Sequence, residues 1–107
     1  MTVTQADIDA LIAAHPQLSE NGYGRSAFAP TPVCLDEVLA AHAWIAEQTW
    51  LEAPGKSSSY HLKHVMEHAT GTYVSNGAFI AAALLHAPGL KVKLDDLNPA
   101  IGIKTQE

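Results

Sequence analysis

Residues Ser57–His86 read SSSYHLKHVMEHATGTYVSNGAFIAAALLH, and the periodicity of this stretch decides the fold. Leu62, Val65, Met66 and Ala69 recur at helical spacing, which predicts an amphipathic helix. Ser57, Ser58 and Ser59 offer N-caps at its start, and Gly71 suits a left-handed residue just past its end. A further helix, Gly77–His86, follows from a cap at Ser75 or Asn76. Its Phe79, Ile80, Leu84 and Leu85 are separated by alanines, leaving almost no polar face. A helix apolar all round belongs at the centre of a domain. Helix, glycine and central helix together make a helix-turn-helix-like core at 57–86.

Downstream, Ala87-Pro88-Gly89 stops the helix and the period changes to two. Leu90, Val92 and Leu94 alternate with Lys91 and Lys93, while Ile101 and Ile103 alternate with Gly102 and Lys104. This pattern predicts a C-terminal β-hairpin turning around Asp95–Pro99. Upstream, Thr31-Pro32 reads as cap and first residue of a helix carrying Leu35, Val38, Leu39, His42, Ile45 and Ala46. That helix is expected to reach Trp50 before Ala53-Pro54-Gly55 closes it. Residues 17–32, with Gly22, Gly24, Pro30 and Pro32, read as a long surface loop with room for one helical turn. They hold the sole arginine, Arg25, and two aromatics, Tyr23 and Phe28; a loop of this length is usually functional or mobile. The first helix starts at Thr4, paired with Asp7 in a variant capping box. It carries Ile8, Leu11, Ile12 and His15, and stops at Pro16. The expected architecture is a small, mostly helical α+β domain: four helices and a C-terminal hairpin in one domain, 1–107.

The 107 residues suffice for one core, and the 48% apolar share against 16% charged marks a globular chain rather than a disordered one. The longest apolar run, Gly77–Ala87, is interrupted by His86 and is too short to span a bilayer. The opening MTVTQADID has no basic segment of the kind a secretory signal needs. The single cysteine, Cys34, excludes an internal disulfide and fits a reducing compartment, so a cytoplasmic protein is expected.

The net charge of −5 is uneven. Residues 1–52 carry Asp7, Asp9, Glu20, Asp36, Glu37, Glu47 and Glu52 against Arg25, whereas residues 53–107 are close to neutral. An ordinary solvated acidic face is the plain explanation. The sharper one is a surface that docks on a basic partner. Non-specific duplex binding needs clustered Lys and Arg, which the chain lacks.

Three chemistries can be tested against the residues. His61, His64 and His68 lie within about 60° on a helical wheel, and His64–His68 matches the H-x-x-E-H pattern of inverted zinc peptidases. That chemistry also requires another carboxylate ligand and a cleft, so boundary histidines, adventitious metal or a pH-responsive surface are simpler readings. A helix-turn-helix followed by a hairpin invites a winged-helix DNA reader using Ser75, Asn76, Lys91 and Lys93. Against it, Gly77–Leu85 has no side chain able to read a base edge. Cys34 near a helix start is better explained as a packing residue than as a nucleophile, and Ser57–Ser59 as caps. Gly22-Tyr23-Gly24 is too short to cradle a phosphate. Trp44 and Trp50, six residues apart, are expected on one helix about 120° apart, one in the core and one free to anchor an interface.

Ser59-Tyr60-His61-Leu62-Lys63-His64, with Tyr73-Val74-Ser75-Asn76-Gly77-Ala78-Phe79-Ile80-Ala81-Ala82-Ala83, resembles a core shared by small uncharacterised bacterial proteins, some carried on phages and plasmids. The resemblance implies a common fold core and a mobile-element setting, and no activity comes with it.

The residues thus support no catalytic assignment and no cofactor. The leading expectation is a non-enzymatic, acidic protein-interaction module, such as an inhibitor or regulator of a host nucleic-acid machine. Its partner would be a protein with a basic surface, met through Asp36, Glu37, Glu47, Tyr23, Arg25 and Phe28; a homodimer is a further form of association. The alternatives are the DNA-binding regulator and a metal-binding domain built on His61, His64 and His68.

Overall fold

In the computed structural model, which describes residues 3–20, 22–23, 33–55, 57–94 and 98–104, a single buried helix organises everything else. This is α4, Asn76–His86, whose residues Asn76–Ala83 are all buried. Around it pack α1 (Gln5–Ala14), the two-stranded pair β1 (Leu18–Ser19) and β2 (Gly22–Tyr23), α2 (Leu35–Ala46) and α3 (Ser59–Thr70). The alanines explain why so many elements can share one helix: short side chains let its neighbours approach closely, while Phe79 and Ile80 are its large, fully buried side chains. Each of these two side chains stabilises the fold by about 1.5–3 kcal/mol through burial. The architecture is the expected α+β one.

Local signals set most helix ends. Thr4 and Asp7 form a reciprocal capping box at α1. Of the three serines before α3, Ser58 is the cap, accepting from the His61 amide at 3.1 Å. Ser75 caps α4 by accepting from the Ala78 amide at 3.1 Å. Gly71 terminates α3 with φ +74°, the left-handed conformation that a Cβ penalises.

α2 departs from the sequence expectation at both ends. Thr31 and Pro32 lie outside the described residues, and the helix begins at Leu35 with Cys34 at the cap, which makes no side-chain cap bond. It ends at Ala46 rather than reaching Trp50. Side chains explain the early stop. The Gln48 amide donates to the Trp44 carbonyl and the Trp50 indole to the Ile45 carbonyl, each at 3.0 Å, taking carbonyls that a longer helix would have used. The two tryptophans are therefore not on one helix. Trp44 leans on Phe79, and Trp50 pairs its backbone with Ile103.

The loop expected at 17–32 is also corrected in part. Leu18 pairs with Tyr23 and Ser19 with Gly22 in a tight antiparallel pair, and Leu18 and Ser19 are buried. Here the absence of a side chain at Gly77 is decisive. A Cβ on Gly77 would stand 1.7 Å from the Ser19 carbonyl oxygen, so only glycine lets the β1–β2 segment cross the start of α4. The Gly77 amide donates to the Glu20 carbonyl at 2.9 Å.

β3 (Val92–Lys93) and β4 (Ala100–Ile101) form the expected C-terminal hairpin, in register Val92 with Ile101 and Lys93 with Ala100. β4 is tied on its other side too. The Ile101 amide donates to the Ser57 carbonyl, the Ser59 amide to Pro99, and the Lys104 amide to Thr49. No helix among the described residues is long and apolar enough to cross a membrane.

Candidate functional site

α3 has two stripes. Leu62 and Met66 turn into the core. A second set, Tyr60, Lys63, His64 and Glu67, follows i, i+3, i+4, i+7 spacing and therefore shares another face. Lys63 on that face is buried, at 5% exposure, an environment a lysine rarely occupies without a partner. Its partner is Glu67: Lys63 Nζ donates to Oε2 at 2.9 Å. The same carboxylate accepts from the Val74 amide at 3.1 Å, and its Oε1 lies 3.1 Å from His64 Nδ1. Glu67 thus ties α3 to the end of the connection into α4. Burial alone would raise its pKa. The hydrogen bond from Lys63, the Val74 amide and the nearby charges of Lys63 and His64 outweigh that and hold it below the usual carboxylate value.

Two tyrosines stand over this pair. The Lys63 ammonium lies 4.9 Å from the Tyr73 ring centroid and 5.6 Å from that of Tyr60, both within cation–π range. Tyr60 also meets His64 edge-on at 4.5 Å. Among the described residues, Tyr60 and Tyr73 are the large apolar side chains left exposed, at 51% and 66%. They flank a cleft of about 490 Å³ whose walls also include Glu20, Lys63, His64, Asn76 and Asn98. A buried relay fixes its floor: Ser59 Oγ donates to Asn76 Oδ1 at 2.8 Å, and Asn76 Nδ2 donates to Asn98 Oδ1 at 2.6 Å. The cleft thus joins the β1–β2 turn, α3, the α3–α4 connection and the C-terminal segment.

The residues expected from sequence to meet a partner are dispersed. Asp36 is exposed in the first turn of α2 and Glu47 at its C-cap. Eleven residues separate them, which places them on one side of the helix about 16 Å apart. Glu47 borders a smaller groove of about 230 Å³ over Trp44 and Met66. Glu37 is half-buried and accepts from the Ser75 amide at 2.8 Å, so it holds the α4 N-terminus. Tyr23 is half-buried with its hydroxyl 3.1 Å from His15 Nδ1. Arg25 and Phe28 lie outside the described residues.

The other candidates are likewise placed. His61 is half-buried, while His64 and His68 are exposed. Among the described residues, no group of three or more His, Cys, Asp or Glu converges as a metal ion requires. In the H-x-x-E-H segment the glutamate serves Lys63, His64 and Val74. Ser75 and Asn76 are buried and hydrogen-bonded, Lys91 donates to the Pro88 carbonyl at 3.0 Å, and the buried body of α4 offers no face to a DNA groove. Cys34 is exposed and free.

Sequence reasoning passed over the Tyr60–Tyr73 cleft because its signal, a polar stripe at helical spacing, lay behind the histidines that share it. No protein family, curated protein or solved structure matches the chain.

Proposed function

We propose that this chain is a non-enzymatic protein-interaction module that captures a basic segment of a protein partner, with the Tyr60–Tyr73 cleft as its principal contact. The observation that carries this reading is the exposure of two tyrosines around one cleft, the large apolar side chains left exposed among the described residues. Tyrosines are over-represented among residues that dominate binding energies, since they bring much contact area at low conformational cost. The net charge of −5 favours a basic partner and speeds its encounter. Asp36 and Glu47, exposed on α2, add to that attraction without touching the cleft. An acidic module of this kind suits a regulator of a nucleic-acid machine, whose basic surface it would cover.

The test is affinity capture from the native host with the wild-type chain, with Tyr60→Ala/Tyr73→Ala and with Asp36→Asn/Glu47→Gln. A genuine partner is lost with the tyrosine pair and weakened, most visibly at low salt, by the charge pair. Capture indifferent to the tyrosines overturns the reading. Retention on heparin or duplex DNA at low salt would instead favour a nucleic-acid regulator.

A further inference from the structure

We infer that the Tyr60–Tyr73 cleft is an arginine-binding subsite, taking the guanidinium of a partner side chain between the tyrosine rings and the Glu20 carboxylate. This rests on the interaction-module reading and gives it a ligand chemistry. Lys63, the cation in the cleft wall, is neutralised by Glu67 at 2.9 Å, and both oxygens of Glu67 are engaged within the fold. Glu20 also lines the cleft, and among the described residues no cation lies within ion-pair distance of its carboxylate. Among the described residues the cleft is left with one negative charge that no cation offsets, which favours a cation and disfavours a phosphate or carboxylate.

The Tyr73 and Tyr60 rings already sit 4.9 and 5.6 Å from one ammonium, while about half or more of each residue remains open to solvent. A flat guanidinium can lie against a tyrosine face and still direct two N–H groups at a carboxylate. A lysine ammonium, compact and strongly hydrated, can do only one of these well. The volume of about 490 Å³ falls within the range of small-ligand clefts, about 300–1,000 Å³. Glu20 is held in place through its own backbone, which accepts from the Gly77 amide at 2.9 Å.

The experiment uses the full chain, labelled with ¹⁵N and titrated separately with N-acetyl-arginine amide, N-acetyl-lysine amide and AMP. The arginine amide should shift the Tyr60 and Tyr73 backbone signals and the Asn98 side-chain amide saturably, with the lysine amide at least about fivefold weaker. Glu20→Gln should weaken arginine binding about tenfold, a loss of about 1.4 kcal/mol. Tyr73→Phe should retain binding and Tyr73→Ala should lose it, with thermal melts of all variants confirming the fold. No saturable shift, or a response to AMP in place of arginine, overturns the subsite. A partner whose capture needs the tyrosines while arginine amide leaves the cleft signals unmoved also overturns it, and leaves the module reading intact.

Discussion

The imidazoles of His42 on α2 and His86 on α4 stack with centroids 3.9 Å apart and planes 15° apart. His86 Nε2 lies 3.0 Å from the His42 carbonyl, and the buried His42 Nε2 has no hydrogen-bond partner among the described residues. Burial first, then the neighbouring His86, holds the His42 pKa below the ordinary 6.5. The folded state therefore prefers neutral His42, while the unfolded chain takes up a proton near pH 6.5. Stability from this residue is complete above that pH and is lost as pH falls below it. The urea midpoint should drop between pH 7.5 and 5.5, and His42→Phe, which keeps a stacked ring without a titrating nitrogen, should flatten that slope. An unchanged slope would mean that another group is responsible. Glu67 acts in the same direction, at lower pH. Its folded pKa lies below its unfolded 4.5, so its contribution is present above pH 4.5 and lost as pH falls through the folded value. Glu67→Gln should remove part of the acid limb of the stability profile and cost about 1.5–3 kcal/mol at pH 7, the scale of a hydrogen bond to a charged group. Denaturant titrations at pH 7, 4.5 and 3 read both effects.

The two glycines that bound the α3–α4 connection separate two reasons for having no side chain, and they mark what sequence could and could not show. Gly71 is needed for its backbone: φ is +74° and a Cβ there would meet nothing within 4 Å. Gly71→Ala should therefore cost about 1–2 kcal/mol, the penalty of a left-handed alanine, with Gly71→Asn costing less. Gly77 is needed for space, since its Cβ would fall onto the Ser19 carbonyl. Gly77→Ala should push the β1–β2 segment off α4, cost about 1–3 kcal/mol or more, and shift the Glu20 and Tyr23 amide signals; urea denaturation and ¹⁵N spectra check both. The first role was legible, because a glycine after an apolar helical arc is a stop signal written in local residues. The second was not, because the atom it avoids belongs to a segment 58 residues earlier in the chain. The same distinction runs through the other elements. Caps at Thr4, Ser58 and Ser75 are local and were readable, whereas the end of α2 depends on the Trp50 indole reaching back to Ile45. The tyrosine cleft was hidden for a related reason. Tyr60 and Lys63 share one helical face, but Glu20, Tyr73 and Asn98 join them only through tertiary packing.

On the scale of the whole molecule, residues 98–103 connect parts that no helix reaches. β4 pairs with β3 on one side. Ala100 and Ile103 form bridges to Ser58 and Trp50 on the other, so the segment clamps the α2–α3 connection against the hairpin. Gly102 allows this, its amide donating to the Lys91 carbonyl and its carbonyl accepting from Leu51. Ile101 and Ile103 enter the core beneath, both essentially inaccessible. Asn98, at the start of the segment, accepts from Asn76 and so couples the clamp to the floor of the cleft. Two consequences follow from this placement. Ile101→Ala should cost about 2–5 kcal/mol, as for other buried aliphatic truncations. Because the segment touches the α2–α3 connection, β3 and the start of α4, the loss should appear as one cooperative transition, with helical circular dichroism and tryptophan fluorescence melting together. Asn98→Ala tests the coupling to the cleft more selectively. It leaves the Asn76 amide without this acceptor while sparing the isoleucines, so stability should fall by about 1–3 kcal/mol. Over the same substitution, arginine amide binding at the cleft should weaken although neither Glu20 nor the tyrosines has changed. Separate melting of helices and tryptophans in Ile101→Ala, or undiminished arginine binding in Asn98→Ala, would show that the C-terminal segment is merely appended to the helices.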